Sequence, residues 1–134
     1  MPNNLMKNNR VKVKVKKGSK SVSSRRWLER QLNDPYVIAA KKDGYRSRSA
    51  YKLIEINEKF NLFKKGQVVV DLGSAPGGWS QVARKLIGSS NKGKIVSIDI
   101  QDVEPIEGVA FIKGSIMDEE ILTLIKQKLI AKRT

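Results

Sequence analysis

The sequence has 134 residues, of which 40% are hydrophobic, and a net charge of +14, which suits one domain with a modest core. It contains neither cysteine nor histidine, which excludes disulfides, thiol nucleophiles, histidine general bases and the usual Cys/His zinc sites. No apolar run reaches the roughly 20 residues of a membrane span, and the N-terminus lacks a secretion signal's apolar segment. We therefore expect a soluble, cytoplasmic protein.

The positive charge is concentrated in the N-terminal half. Residues 1–66 hold 18 basic and 5 acidic residues, whereas residues 67–134 hold 9 and 8. This asymmetry favours a polyanionic partner, with nucleic acid ahead of an anionic membrane, although a solvated basic tail is the alternative. We expect residues 1–22 to form a basic flexible arm, because "VKVKVKK" has too few apolar residues to hold as a strand.

Helical patterns come after the arm. From Ser24 onward, apolar residues recur at helical spacing. Asp34 and Pro35 are typical of an N-cap and the first position of a second helix, and Gly44 of its C-terminal stop. Another apolar stripe predicts a further helix that starts near Ser47. These segments form a basic helical extension that precedes the first predicted strand.

The rest of the chain alternates strands and helices. Residues Gln67–Leu72 predict a buried parallel strand, and a helical stripe runs from Trp79 to Ile87. Further strands are predicted at Lys94–Ile100 and Val109–Lys113, and a final helix runs from Ile121 to the C-terminus. This order indicates half of a doubly wound α/β sheet.

A turn of small residues links the first of these strands to its helix. Its spacing, G-x-x-x-G-G from Gly73, Gly77 and Gly78, fits neither a Walker A loop nor the G-x-G-x-x-G dinucleotide fingerprint. Asp99 ends the next strand, where it could accept hydrogen bonds from ribose hydroxyls. A nucleoside with a carboxylate tail, such as S-adenosylmethionine (SAM), suits both features. The alternative is that Asp71 and the glycines only build a tight turn.

The segment "DLGSAPGGWSQ" resembles the first SAM-binding motif of the FtsJ/RrmJ family of 2'-O-ribose RNA methyltransferases. The segments "SSRRWLERQLNDPYVIAAKKDGYRSRSAYKLIEI" and "IVSIDIQDVEPIEGVAFIKG" are also similar to that family. The resemblance implies a Rossmann-like SAM-dependent methyltransferase fold, in its N-terminal half only, over residues 23–134. It also implies methylation of a uridine ribose in large-subunit (23S) ribosomal RNA, within the 50S particle.

The resemblance implies particular cofactor contacts. Gly77, Gly78 and Trp79 would contact SAM, although Trp79 could instead be a core residue. Asp99 would bind the ribose. Ser115 occupies the position where the family often has an acid facing the adenine. Because "SIMD" also fits an S-x-x-D capping box, we favour helix capping for Ser115.

The resemblance also implies a catalytic Lys-Asp-Lys-Glu tetrad, whose first lysine corresponds to Lys52 in "RSRSAYKL". Without the motif, Lys52 would be interpreted as a solvated helix lysine. The other three members have no counterpart before "KQKLIAKRT". We therefore expect a truncated or split-gene product with an exposed first strand and little or no turnover, which a C-terminal partner chain could complete. The alternatives are a non-catalytic RNA-binding fragment and a nonfunctional remnant. The expected RNA contacts are Arg25, Arg26, Arg46 and Arg48.

Overall fold

The structure is a computed structural model that describes residues 14–16, 21–88 and 93–130. The chain divides into two compact units, residues 1–48 and residues 49–134. Most of the expected basic arm at residues 1–22 lies outside the described residues. None of the helices in the described ranges is long and apolar enough to cross a membrane.

The described residues of the first unit form two helices, α1 (Val22–Asn33) and α2 (Pro35–Asp43). Asp34 caps α2, because its Oδ1 accepts hydrogen bonds from the backbone amides of the second and third helical residues, at 2.8 and 3.3 Å. Gly44 ends α2 in the left-handed conformation at φ = 82°, which glycine adopts without the steric cost of a Cβ. The predicted start and stop of this helix are confirmed.

The second unit is a three-stranded parallel sheet with helices on both faces. Its elements are α3 (Ser49–Phe60), β1 (Val68–Leu72), α4 (Gly78–Ile87), β2 (Lys94–Asp99), β3 (Val109–Lys113) and α5 (Glu119–Ile130). The strand order is β1-β2-β3, and Val96 of β2 lies opposite Val70 of β1 and Ala110 of β3. The predicted α/β architecture is therefore confirmed.

Two apolar clusters cover the two faces of β2. On one face, Ile95 packs with Ala83 and Ile87 of α4. On the other, Val96 and Ile98 pack in the cluster that includes α5. This division follows from the alternation of side chains along a strand. Because α4 also contacts α3, α4 packs against both the sheet and a second helix.

The apolar run of β1 predicted a buried strand, which is wrong for one of its faces, whereas the exposed first strand expected from the family resemblance agrees with the structure. Val68, Val70 and Leu72 are 48%, 38% and 56% exposed. These three side chains lie on the same face of the sheet as α5. However, α5 packs mainly on β2 and β3, so it leaves this face of β1 exposed. In the described part of the chain, the outer edge of β1 also has no strand partner. An apolar face and an open edge therefore coincide on β1.

Candidate cofactor-binding site

The turn between β1 and α4 lies at the carboxyl end of the sheet, where open α/β sheets bind ligands. Gly73 and Gly77 have φ values of +71° and +117°, in the region that favours glycine. No atom lies within 4 Å of a Cβ built on Gly73, so there is open space beside the backbone. Gly77 is the N-cap of α4 and supplies no side-chain hydrogen bond. The helix therefore starts without a side-chain cap over its first amides.

Strand β2 holds this turn in place through main-chain and side-chain acceptors. The carbonyl oxygen of Ile98 accepts hydrogen bonds from the amides of Gly73 and Ser74, at 2.8 and 3.1 Å. Asp99 accepts one from the amide of Ala75 at 2.8 Å and one from the amide of Gln101 at 2.9 Å. The hydrogen bonds from Gln101 and then Ala75 lower the pKa of Asp99, since they favour the charged carboxylate.

Asp99 thus anchors the turn, a role that the sequence alone did not indicate. Each carboxylate oxygen can accept more than one hydrogen bond. The backbone amides therefore leave capacity for a ligand hydroxyl. The expected ribose contact and the observed anchoring are compatible in the same side chain.

Asp71, which is half-buried, is hydrogen-bonded to a chain of two buried serine hydroxyls. The Ser80 hydroxyl donates to Oδ2 of Asp71 at 2.7 Å and lies in close hydrogen-bond contact with the hydroxyl of Ser97. Ser80 and Ser97 are 0% and 1% exposed. Burial raises the pKa of Asp71, the Ser80 hydrogen bond opposes that rise, and the Asp99 charge adds to it. This geometry supports the alternative interpretation that Asp71 builds the turn.

The predicted site residues include neither Ser80 nor Ser97, although the sequence carries a signal of both. Ser80 interrupts the apolar stripe of α4, three residues before Ala83, and Ser97 interrupts the apolar run of β2. A polar residue in a core-facing position needs a buried partner. The two serines satisfy each other across the helix–strand interface.

Ser74 is a further polar group that the sequence did not single out. It is 4% exposed, and its hydroxyl is buried without a hydrogen-bond partner. Buried polar groups usually have a partner, and an exception calls for an explanation. Here the exception lies within the turn that leaves space beside Gly73.

Trp79 comes directly after the glycine pair but does not belong to the core. It is 40% exposed, so the core alternative for this residue is wrong. Its Nε1–H donates to the carbonyl oxygen of Ser49, the first residue of α3, at 2.9 Å. Lys52 lies on the same helix and is exposed. The structure thus connects the turn to the helix that bears Lys52.

Ser115 does not cap the last helix as predicted. Helix α5 begins at Glu119, four residues further along the chain, and the Ser115 hydroxyl accepts a hydrogen bond from the amide of Met117 at 3.1 Å. The expected capping box would instead pair this hydroxyl with the amide of Asp118. The prediction is wrong because residues 115–118 form a turn that the S-x-x-D pattern does not distinguish from a helix start.

The four arginines expected to contact RNA all lie in the first unit. Arg25 and Arg26 are on α1, whereas Arg46 and Arg48 come after α2. Arg48 forms an ion pair with Asp34, and its guanidinium lies 5.1 Å from the centre of the Tyr36 ring. It is therefore engaged within its own unit, while Arg26 is exposed on α1. No cluster of potential metal ligands occurs among the residues that the structure describes.

Comparison with known proteins identifies the family. The profile of the FtsJ-like methyltransferases matches residues 45–134, which include the turn, Lys52 and the whole sheet. The chain belongs to this family. The parallel sheet and its flanking helices agree with the FtsJ-like fold, of which they form a part.

The similar proteins carry consistent names. The chain is 55% identical over 111 residues to "Ribosomal RNA large subunit methyltransferase E" from Brucella ovis and from Brucella canis, covering 82% of this chain and 46% of each relative. It also resembles the crystal structure of a protein described as a ribosomal RNA methyltransferase from Plasmodium falciparum. That match has a TM-score of 0.54 and 36% identity over 62% of this chain and 48% of the other. The chain thus spans about half the length of these FtsJ-like relatives.

Proposed function

We propose that this chain binds SAM at the turn between β1 and α4 and belongs to the machinery that methylates large-subunit ribosomal RNA. The observation that carries the proposal is the turn itself. It combines open space beside Gly73, an uncapped start of α4 and a buried unpaired hydroxyl on Ser74. These features suit a ligand with a carboxylate and several polar groups.

The same residues suggest how the cofactor would be held. The first amides of α4 would receive its carboxylate, Asp99 would accept from its ribose hydroxyls, and Trp79 would lie beside it. Gly77 and Gly78, both buried, would let the backbone approach the ligand closely. Ser115 is the proposed neighbour of the adenine. When bound, SAM supplies an activated methyl group.

The proposed reaction is methyl transfer to the 2'-hydroxyl of a uridine ribose in 23S RNA. A ribose hydroxyl is a weak nucleophile near neutral pH, so the reaction needs correct placement and help with the departing proton. Lys52 is the proposed catalytic residue of this chain for that step. The family resemblance implies three further groups, an aspartate, a lysine and a glutamate, and residues 1–134 contain no matching segment. We therefore propose that this chain contributes binding and Lys52 but gives little turnover alone.

Calorimetry with SAM tests the proposed cofactor site. We expect saturable SAM binding by the full chain and at least about tenfold weaker binding by Asp99→Asn. The neutral asparagine has one acceptor oxygen and no charge, so it accepts hydrogen bonds from the Ala75 amide and a ribose hydroxyl less strongly than a carboxylate does. Asp102→Asn is the matched control, because it removes the same charge from a side chain that is 86% exposed and pairs with Lys113. Equal loss of affinity in both variants would exclude the specific role of Asp99.

A second candidate function is RNA binding without a cofactor, favoured by the net charge of +13 on residues 1–66. In that case four arginines of the first unit, Arg25, Arg26, Arg46 and Arg48, would carry the function. Titrating the chain with SAM and with ribosomal RNA separates the two functions. Binding of ribosomal RNA with no SAM binding at high cofactor concentration favours the RNA-binding module. A chain that binds neither ligand would contradict both.

A further inference from the structure

Trp79 connects two segments that the proposed function uses separately. It is the second residue of α4, directly after the Gly77–Gly78 pair. Its indole Nε1–H reaches across to the carbonyl oxygen of Ser49 at 2.9 Å. A tryptophan at this position could point into solvent, but here its donor is used on a neighbouring helix.

The acceptor lies at the end of α3 that bears Lys52. Ser49 is the first residue of α3, and Lys52 is three residues further on, which places both on one side of the helix. Helices α3 and α4 pack together here, and Ala50 is fully buried beside Ser49. Trp79 and Lys52 are both exposed. Both side chains are therefore accessible to a ligand, and the bond between Trp79 and Ser49 joins their helices.

We propose that Trp79 is a positioning residue that couples cofactor binding at the turn to the placement of Lys52. This inference rests on the proposed function. A ligand that fixes the backbone at Gly77–Gly78 also fixes the direction in which the next side chain leaves α4. The indole N–H then holds the first carbonyl of α3, and with it the helical turn that carries Lys52.

The physical signal of this coupling is local. In an α-helix, the carbonyl of residue 49 accepts from the amide of residue 53. That amide belongs to Leu53, which lies next to Lys52 in sequence and is buried. When the Ser49 carbonyl is held by Trp79, opening of the first turn of α3 becomes less frequent. Hydrogen exchange at Leu53 therefore reports the link without requiring turnover.

The experiment measures amide exchange across α3 in the full chain, with and without saturating SAM. We expect SAM to slow exchange at Leu53 by about three- to tenfold, the range that matches the net contribution of one hydrogen bond, because bound SAM would make the existing bond between Trp79 and Ser49 persist. In Trp79→Phe, measured at a SAM concentration that saturates the variant, this slowing should be lost because phenylalanine has no N–H. Trp27→Phe is the matched control, because Trp27 lies in the other unit and is similarly exposed, at 52%.

A second replacement covers the case in which Trp79→Phe does not bind SAM or does not fold. Benzothienylalanine at position 79 keeps the shape of the indole and replaces only its N–H by sulfur. SAM-dependent slowing at Leu53 that persists in either bound variant overturns the inference. If the unaltered chain does not bind SAM, the proposed function fails instead. The comparison without SAM then still tests the link, since equal Leu53 exchange in the unaltered and isosteric chains would refute it.

Discussion

At the scale of single residues, two carboxylates at the ends of neighbouring strands behave in opposite ways. Burial raises the pKa of Asp71, whereas backbone hydrogen bonds lower the pKa of Asp99. Both residues are half-buried, but Asp71 receives a serine hydroxyl and Asp99 receives backbone amides. Position in the strand is therefore a poor guide to ionisation, and the local donors decide it.

The raised pKa of Asp71 predicts a pH-dependent contribution to stability. Its folded pKa lies above the ordinary value of 3.8, so the contribution is fully present below 3.8 and is lost as pH rises through the folded pKa. Compared with Asp71→Asn, the unaltered chain should therefore lose unfolding free energy as pH rises toward neutrality. Urea unfolding over this pH range measures the difference. A pH-independent difference would contradict the assignment.

Ser80 should matter more to stability than Ser97, its partner. Ser80→Ala removes the donor to Asp71 and also leaves the Ser97 hydroxyl buried without its neighbour. We expect a loss of about 1–3 kcal/mol of unfolding free energy, the cost of unsatisfied buried groups. Ser97→Ala is the matched variant and should cost less, because Ser80 still donates to Asp71. Chemical denaturation of both variants measures the two losses of unfolding free energy. A larger loss for Ser97→Ala than for Ser80→Ala would refute the proposed hydrogen bonding from Ser97 to Ser80 to Asp71.

Among the helices, α2 allows the contribution of its N-cap to be measured apart from that of an ion pair, because Asp34 makes both. Its Oδ1 caps α2, while its Oδ2 pairs with Arg48. Asp34→Ala removes both and should cost about 1–2 kcal/mol. Asp34→Asn keeps a capping oxygen and should cost at most about 1 kcal/mol, because partly exposed ion pairs contribute little. Unfolding monitored by circular dichroism compares them, and equal losses would show that the cap is unimportant.

Elements with local signals were predictable from the sequence. Asp34, Pro35 and Gly44 marked the bounds of α2, and the run at Val109–Lys113 gave β3 with its observed ends. The exposure of Val70 was not predictable from local pattern, because it depends on which strands α5 covers. The same applies to the bond between Trp79 and Ser49, which joins residues 30 positions apart. The periodicity of apolar residues indicates which helix or strand a residue belongs to, but it does not indicate which distant residues that side chain contacts.

At the scale of the whole molecule, the apolar face and open edge of β1 predict self-association. Exposed edge strands with apolar side chains tend to pair with other chains. Sedimentation velocity should show association of the unaltered chain as concentration rises, and Val70→Lys should reduce it. Val22→Lys, at an apolar position of α1 that is 54% exposed, is the control and should change little. A chain that stays monomeric at every concentration would contradict this expectation.

The basic first unit predicts salt-dependent binding of ribosomal RNA. The logarithm of the RNA affinity falls linearly with the logarithm of the salt concentration, and each phosphate contact that is lost should reduce the steepness of this line by about one. Arg26→Gln should therefore weaken binding and reduce the slope. Arg48→Gln should do so less, because Arg48 already pairs with Asp34. Fluorescence anisotropy over a salt series measures both, and salt-insensitive affinity would exclude this unit as the RNA-binding surface.

Titration of SAM into the ¹⁵N-labelled chain, followed by amide chemical shifts, tests whether the turn after β1 is a SAM site. We expect saturable shifts centred on residues 73–79 and on Asp99, with Asp102 as an unaffected reference. Absence of shifts at millimolar cofactor, or shifts confined to residues 21–48, would contradict it.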